Sequence, residues 1–217
     1  MPKTHLPLAV LLAALAIGAC SSASSHAAAR TMPEPAPSTN AARVRADSLR
    51  RPYTEADIQF MSDMIHHHAQ AIHMAGWAPS HGADPAVQRL AERIINAQQD
   101  EIATMGQWLS DRGQPVPQPG SGHSMRAMHL MPGMLTEAQM QQLDQSRGAT
   151  FDSLFLTFMI QHHRGAVSMV RDLFATPGAA RDELVFKFAN DVNVDQSTEI
   201  ARMERMLAAL PSGSSTP

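Results

Sequence analysis

The sequence predicts an all-α protein, a four-helix bundle built from two copies of one αα-hairpin. A fifteen-residue motif begins at Phe60 and recurs 95 residues later at Phe155, with seven identical pairs. A Gln-x-x-Glu-Ile motif follows each copy, at Gln98 and at Gln196. No segment alternates polar and apolar residues with the period of a strand. Because an internal repeat fixes the unit of architecture, two such hairpins packed together give the bundle.

The first hairpin is predicted at residues 51–111. Its first helix begins at Thr54, which forms a capping-box pair with Asp57, and ends at the Pro and Gly of residues 79–82. Asp84 and the proline after it have the residue types of an N-cap and a first helical position. The second helix therefore starts there and runs to about residue 111.

The second hairpin is predicted at residues 136–210. Its first helix begins at Thr136, with Gln139 as the capping-box partner. This helix ends at Pro177-Gly178, and the last helix follows to about Leu210, which precedes a proline.

The N-terminal residues are typical of a leader. Residues 1–19 have the charge and the short apolar run of a signal peptide, and that run is too short to span a bilayer. The run ends in an Ile-Gly-Ala-Cys sequence that resembles a bacterial lipobox, with Cys20 as the lipidated residue; the alternative is an ordinary signal with an incidental Cys. Because Cys20 is the only cysteine, the chain has no intrachain disulfide and no Cys-based metal site.

Composition predicts what surrounds the bundle. Residues 20–50 are rich in Ser, Ala and Pro, which favours a disordered tether, and residues 211–217 are predicted to be a disordered tail. We therefore expect the protein in the bacterial cell envelope, in the periplasm, with a lipid anchor in the outer membrane as its contact with the membrane. A net charge of −3 gives no basic surface for nucleic acid.

Helical phase separates the histidines of the repeat. At about 100° per residue, His68 lies in the middle of the apolar face of its helix, and His67 lies at the edge of that face. His163 and His162 repeat these two positions in the second copy. The outward positions 66 and 73 are His in the first copy and Gln and Ser in the second. Only the inward and edge histidines are therefore kept in both copies.

The second helix of each hairpin has polar residues on its apolar face. These are Gln98 and Glu101 in the first copy, and Gln196 and Glu199 in the second. Buried amides and carboxylates need partners. A rise of about 1.5 Å per residue places each Gln near the height of the inward His of its hairpin, and each Glu about one turn further on. The sequence thus predicts two related His/Gln/Glu clusters inside the bundle, with the Gln and Glu side chains supporting the His.

Thioether and imidazole side chains at repeated spacing are typical of copper sites. The candidate metal ligands are Met64, His67, His68, Met74, Met159, His162, His163 and Met169. Met64 is three residues before His67 and can share an ion with it, whereas Met74 is two turns away. Two alternatives remain open: the inward His can be core hydrogen-bonding residues, and each Met can be core filler.

The segment between the hairpins, residues 112–135, is predicted to be a loop rich in Met and His. Its secondary candidate ligands are His123, Met125, Met128, His129, Met131 and Met134. Thioethers favour Cu(I), and imidazole can hold either oxidation state of copper. The loop is expected either to capture copper or to form a lid over an apolar groove.

The doubled His-His motif and the Met131-Pro132-Gly133-Met134 segment resemble the domain-of-unknown-function family 305, which includes CopM-type periplasmic copper-binding proteins. The resemblance covers about residues 54–209. It implies a ferritin-like four-helix bundle and a link to copper binding and copper resistance.

We therefore expect a cell-envelope protein that binds copper ions for sequestration, resistance or transfer, with another envelope copper protein as a possible partner. No catalytic motif is found, so we do not expect an enzyme. One alternative is a structural or interaction module that binds no metal. A ferritin-like di-metal oxidase is the second, and it is disfavoured because the sequence has no Glu-x-x-His motif.

Overall fold

The computed structural model describes residue 46, residues 52–118 and residues 131–211. Within these residues the protein is all-helical, as predicted, and no strand occurs. The five helices are α1 (Glu55–Gly76), α2 (Pro85–Asp111), α3 (Glu137–Gln145), α4 (Gly148–Ala175) and α5 (Glu183–Ala209). None of these helices has both the length and the apolar character needed to cross a membrane.

Several predicted features lie outside the described residues. They are the signal peptide, Cys20, the tether except for residue 46, the tail after residue 211, and the loop residues His123, Met125, Met128 and His129.

Three helices, α1, α2 and α3, begin where the capping signals predicted. Thr54 and Asp57 form both bonds of a capping box, and so do Thr136 and Gln139. Asp84 caps α2 by accepting from the amide of Ala86 at 2.7 Å. These starts are local in origin, because each cap satisfies amide groups that the first helical turn leaves unpaired.

The third predicted helix is in fact two helices, α3 and α4. The chain is extended at Ser146 and Arg147, and it resumes at Gly148 with φ of 55°. The backbone carbonyl of His81 accepts a hydrogen bond from the amide of Gly148 at 2.9 Å. The ring Nε2 of His81 donates to the backbone carbonyl of Asp144, also at 2.9 Å. Contacts from the first hairpin thus stabilise the break between α3 and α4. These contacts are distant in sequence, so the local residue pattern around residue 147 does not predict the break.

The two hairpins are α1 packed on α2 and α4 packed on α5, and they meet where α1 contacts α4. One apolar cluster joins the first half of α1, around Phe60, to the second half of α4, around Val170. The other joins the second half of α1, around Ala75, to the first half of α4, around Phe155. The helices α1 and α4 therefore run antiparallel, and the core consists of two apolar clusters.

A buried aspartate near the start of α1 and of α4 links each hairpin to the turn of the other. Asp57 Oδ1 accepts from the backbone amide of Ala180 at 2.7 Å. Asp152, its equivalent in the second copy, accepts from the amide of Asp84 at 3.1 Å. Burial raises the pKa of Asp152 above its usual value. The sequence analysis gave Asp57 a capping role only, although the repetition of Asp at the same motif position was a signal for a second role.

Replacing Asp57 with alanine is expected to lower the free energy of unfolding by about 2 kcal/mol, since the buried amide of Ala180 loses a charged acceptor. The measurement is urea denaturation followed by circular dichroism. Asp191→Ala is the matched control, because Asp191 is exposed on α5 and its loss should change stability by no more than about 0.5 kcal/mol. Equal effects of the two changes would contradict a linking role for Asp57.

Candidate metal centre

A layer of polar side chains separates the two apolar clusters in the middle of the bundle. The histidines His67, His68, His162 and His163 are all 0% exposed. Gln98 and Gln196 are also buried, at 1% and 2% exposure. Both the inward and the edge histidines of each copy are therefore core residues, as are both of the glutamines predicted to support them.

The four imidazole rings follow one another across the bundle. The rings of His67 and His162 meet at the contact between α1 and α4, with centroids 3.8 Å apart. The ring of His68 is 6.4 Å from that of His67, and the ring of His163 is 6.2 Å from that of His162. The structure thus brings together the histidines of both copies, which the repeat alone placed in two separate clusters.

A glutamate lies at each end of this series. Nε2 of His163 donates to Oε2 of Glu199 at 2.8 Å. Nε2 of His68 lies 2.7 Å from Oε2 of Glu101, a close polar contact in which the ring N–H does not point along the line to the oxygen. The predicted His/Glu contacts are therefore present, and it is Glu, one turn beyond Gln, that reaches each inward His.

The segment Met131–Leu135, which we call the strap, lies over the polar layer. Nε2 of His67 is 3.0 Å from the carbonyl oxygen of Pro132. Gln70 bonds Leu135 twice, accepting from its amide at 2.8 Å and donating to its carbonyl at 3.1 Å. Gln161 donates to the carbonyl of Gly133 at 3.3 Å. The strap therefore contacts both helices that carry the His-His pairs.

The strap reaches α4 closely because two glycines face each other. A Cβ on Gly165 would lie 2.0 Å from the carbonyl oxygen of Pro132, and one on Gly133 would lie 2.7 Å from the carbonyl oxygen of Gln161. Gly133 also has φ of 78°, which favours glycine. The sequence analysis did not assign a role to Gly165, although a glycine in the middle of a helix costs stability and signals a close contact.

The two central histidines, His67 and His162, are neutral at neutral pH. Burial, together with the nearby His68, lowers the pKa of His67 to about 3. The pKa of His162 is also held well below its usual value, first by burial and then by His67. A neutral imidazole keeps one nitrogen lone pair, which is the form that binds a metal ion.

Several buried polar atoms of the layer have no hydrogen-bond partner among the described residues. They include Nδ1 of each of the four histidines, Nε2 of His162 and both side-chain amide atoms of Gln98. An unsatisfied buried polar group costs about 1–3 kcal/mol. Such a concentration in one layer means that these atoms need further partners, such as water or an ion.

The candidate methionines fall into the two apolar clusters on either side of the layer. Met64 shares one cluster with Met169, and Met74 shares the other with Met159. Each cluster thus combines one methionine from each copy, whereas the sequence analysis grouped them within a copy. Of the loop candidates, Met131 in the strap packs against the cluster that holds Met64, and Met134 is buried.

In the described part of the chain, no three His, Cys, Asp or Glu side chains form a group that could hold one metal ion. The four buried histidines are arranged instead as two consecutive pairs whose rings meet at His67 and His162. Two imidazoles with thioethers nearby form a ligand set suited to copper.

Comparisons with known proteins agree with this architecture. A family model described as "Domain of unknown function (DUF305)" matches residues 57–207. A DUF305 fragment from Deinococcus radiodurans has a similar structure, with 33% identity and a TM-score of 0.63, over 74% of this chain and 100% of that one. CopM is also similar, with 30% identity and a TM-score of 0.56 in its Cu(II)-bound form, over 70% of this chain and 95% of CopM.

The Cu(I)-bound form of CopM is 28% identical, with a TM-score of 0.54, over 72% of this chain and 97% of that one. Among curated proteins, the uncharacterized protein L153 of Acanthamoeba polyphaga mimivirus is 41% identical over 56 residues, which is 26% of this chain and 37% of L153. The chain thus spans little more than a third of the length of that relative. Since the family model covers most of the bundle and solved DUF305 structures share its helical fold, the chain belongs to the DUF305 family.

Proposed function

We propose that this protein is a copper carrier of the bacterial cell envelope, which binds Cu(I) between consecutive buried histidines. One pair is His67 with His68, and the other is His162 with His163. The observation that carries the proposal is that both Nδ1 atoms of each pair are buried and have no hydrogen-bond partner in the part of the chain that the structure describes. The protein would sequester copper or pass it to another envelope protein, without turnover.

The spacing of the rings supports this proposal. An imidazole nitrogen is about 1 Å from the ring centre, and a metal–nitrogen bond is about 2 Å long, so two rings that hold one ion from opposite sides have centres about 6 Å apart. The ring centres are 6.4 Å apart in the first pair and 6.2 Å apart in the second. Each pair is therefore spaced to hold one ion.

The chemistry of the layer favours a monovalent soft ion. The low pKa values of His67 and His162 keep these ligands neutral, and a buried ion of low charge has the smaller desolvation penalty. Cu(I) accepts few ligands and favours imidazole and thioether donors. Met64 and Met159, each three residues before the first histidine of its pair, are the proposed soft partners.

Other observations bear on location and transfer. CopM, a similar protein, is known in copper-bound forms, and the lipobox-like sequence at Cys20 favours an anchored envelope protein. The Met/His-rich loop between the hairpins would capture copper from solution or from a partner.

The experiment is an anaerobic Cu(I) competition titration on the full chain, made with Cys20→Ser so that no lipid is attached. The wild-type site is expected to take one ion for each His-His pair. His68→Gln combined with His163→Gln should weaken binding by more than about 100-fold, because loss of an outer partner of a metal ligand alone costs about 10–100-fold. Circular dichroism checks that the variant keeps its helices.

His66→Gln is the matched control, since His66 adjoins the first pair but is only partly buried, unlike the four histidines of the layer. We expect its copper binding to equal that of the wild type. If His66→Gln abolishes binding while the double variant retains it, copper is bound at the surface and the proposal is wrong. If the double variant unfolds, nitrogen NMR of the copper-loaded wild type still decides, because the proposal requires a shift at Nδ1 of the buried histidines.

A further inference from the structure

The two His-His pairs are equivalent by repetition, but their edge histidines make different contacts. Nε2 of His67 bonds the carbonyl oxygen of Pro132 in the strap at 3.0 Å. Nε2 of His162, at the same position in the second copy, has no hydrogen-bond partner among the described residues. Nε2 of each inward histidine lies within 2.8 Å of a glutamate oxygen, although only His163 makes a hydrogen bond there. The strap is therefore what distinguishes the two edge histidines, His67 and His162.

The two copies have diverged at the position that seats the strap. Gly165 of α4 and Gln70 of α1 are equivalent in the repeat, three residues after the first histidine of each pair. Gly165 leaves the space that the Pro132 carbonyl occupies, since a Cβ there would lie 2.0 Å from its oxygen. Gln70 instead holds the other end of the strap through two bonds to Leu135. The second copy therefore leaves space for the strap at Gly165, and the first copy binds the strap through Gln70.

The bond to Pro132 has a chemical consequence for His67. A carbonyl oxygen can only accept, so Nε2 of His67 must carry the proton and Nδ1 must carry the lone pair. His162 has no such bond to the strap; its polar backbone neighbour is His67, in a contact too poorly aligned to count as a hydrogen bond by geometry. A partner that fixes the tautomer and ring orientation of a metal-binding histidine typically raises metal affinity by about 10–100-fold.

We propose that the strap makes the two pairs unequal, so that His67 and His68 take up Cu(I) ahead of His162 and His163. Pro132 is a positioning residue that acts through its backbone carbonyl, and Gly165 is the residue that lets it approach. This inference rests on the proposed copper binding. The protein would hold one ion tightly and a second ion more loosely, and the loosely held ion is the one available for transfer.

The test is Gly165→Ala in the full chain, with Cu(I) as the probe. In the wild type, the competition titration should show two phases separated by about 10–100-fold. The added methyl group must displace the strap, so the variant should lose the tighter phase and keep the looser one. Gly76→Ala is the matched control, because Gly76 is also helical and a Cβ there meets nothing within 4 Å; it should keep both phases.

A second measurement separates positioning from general loss of structure. Nitrogen NMR of the metal-free protein should show His67 as a single Nε2–H tautomer in the wild type and in Gly76→Ala, and as a mixture in Gly165→Ala. If Gly165→Ala does not fold, Gln70→Ala loosens the strap without adding volume and should have the same effect. Equal affinities of the two pairs in the wild type would overturn the inference while leaving copper binding intact; no tight Cu(I) binding at all would instead overturn the proposed function.

Discussion

Replacing Asp182 with alanine is expected to lower the free energy of unfolding by about 4 kcal/mol, since removing one partner of a buried ion pair costs about 3–5 kcal/mol. Oδ2 of Asp182 lies 2.6 Å from Nη2 of Arg112, and their side chains are 0% and 2% exposed. The pair joins the end of α2 to the start of α5. Urea denaturation followed by far-ultraviolet circular dichroism measures the loss.

The surroundings of Arg112 explain why the effect should be large. Its guanidinium lies over the ring of Trp108 at 4.2 Å and is 5.4 Å from the centre of the ring of Tyr53. The charge therefore cannot reach water without unpacking these aromatic residues. Asp182 also accepts from Nε1 of Trp108 at 3.3 Å and from the amide of Leu184 at 3.0 Å, so alanine removes the cap of α5 as well.

Two other substitutions separate the parts of this effect. Asp84 is the equivalent N-cap in the first hairpin and is exposed, so Asp84→Ala should cost only the cap, about 1 kcal/mol. Glu204 pairs with Arg164 on the surface, where the side chains are 49% and 64% exposed, and Glu204→Ala should cost less than about 1 kcal/mol. If Asp182→Ala costs no more than Asp84→Ala, the buried pair contributes nothing beyond capping and our explanation is wrong.

The features that sequence predicted well are local or periodic. The capping boxes at Thr54 and Thr136 depend on residues three positions apart, and the inward direction of His68 depends on the phase of one helix. The repeat then carried each of these features into the second hairpin. Such patterns are legible in a single sequence because the interactions that cause them occur within a few turns of helix.

The features that sequence did not predict depend on contacts between distant segments. The break between α3 and α4 is held by His81, which is more than sixty residues away from Asp144 along the chain. The role of Gly165 becomes clear only when the strap lies against it. A glycine in a helix indicates that something comes close, but the pattern cannot say which segment does so.

The methionines illustrate the same limit in another way. Met64 and Met74 were grouped with His67 because they lie on the same helix. The antiparallel packing of α1 and α4 instead pairs Met64 with Met169 and Met74 with Met159. The sequence predicts which residue types are candidate ligands. Which of these side chains share a cluster depends on the relative direction of α1 and α4.

Lowering the pH from 7 to 5 is expected to destabilise the metal-free protein by about 2 kcal/mol through His67, and His162 should add to the loss in the same direction. The pKa of His67 is lowered from 6.5 in the unfolded chain to about 3 in the folded protein, and that of His162 is lowered in the same direction. Below pH 6.5 these two histidines are therefore protonated in the unfolded chain but stay neutral in the folded protein. For His67, pH 5 is about 1.5 pH units below the unfolded-state pKa, and each unit contributes about 1.4 kcal/mol.

The sign of this dependence follows from the depressed pKa. The stability is complete above about pH 6.5, and it falls as the pH decreases from 6.5 toward the folded-state value of about 3 for His67. Urea denaturation at pH 7 and at pH 5 measures the change. His67→Gln with His162→Gln should remove most of the pH dependence between these values, while His73→Gln, at an exposed position of α1, should leave it unchanged. If the double variant keeps the full pH dependence, the two central histidines are not buried as neutral groups. The polar layer would then be open to water, which would also count against it as a site for Cu(I).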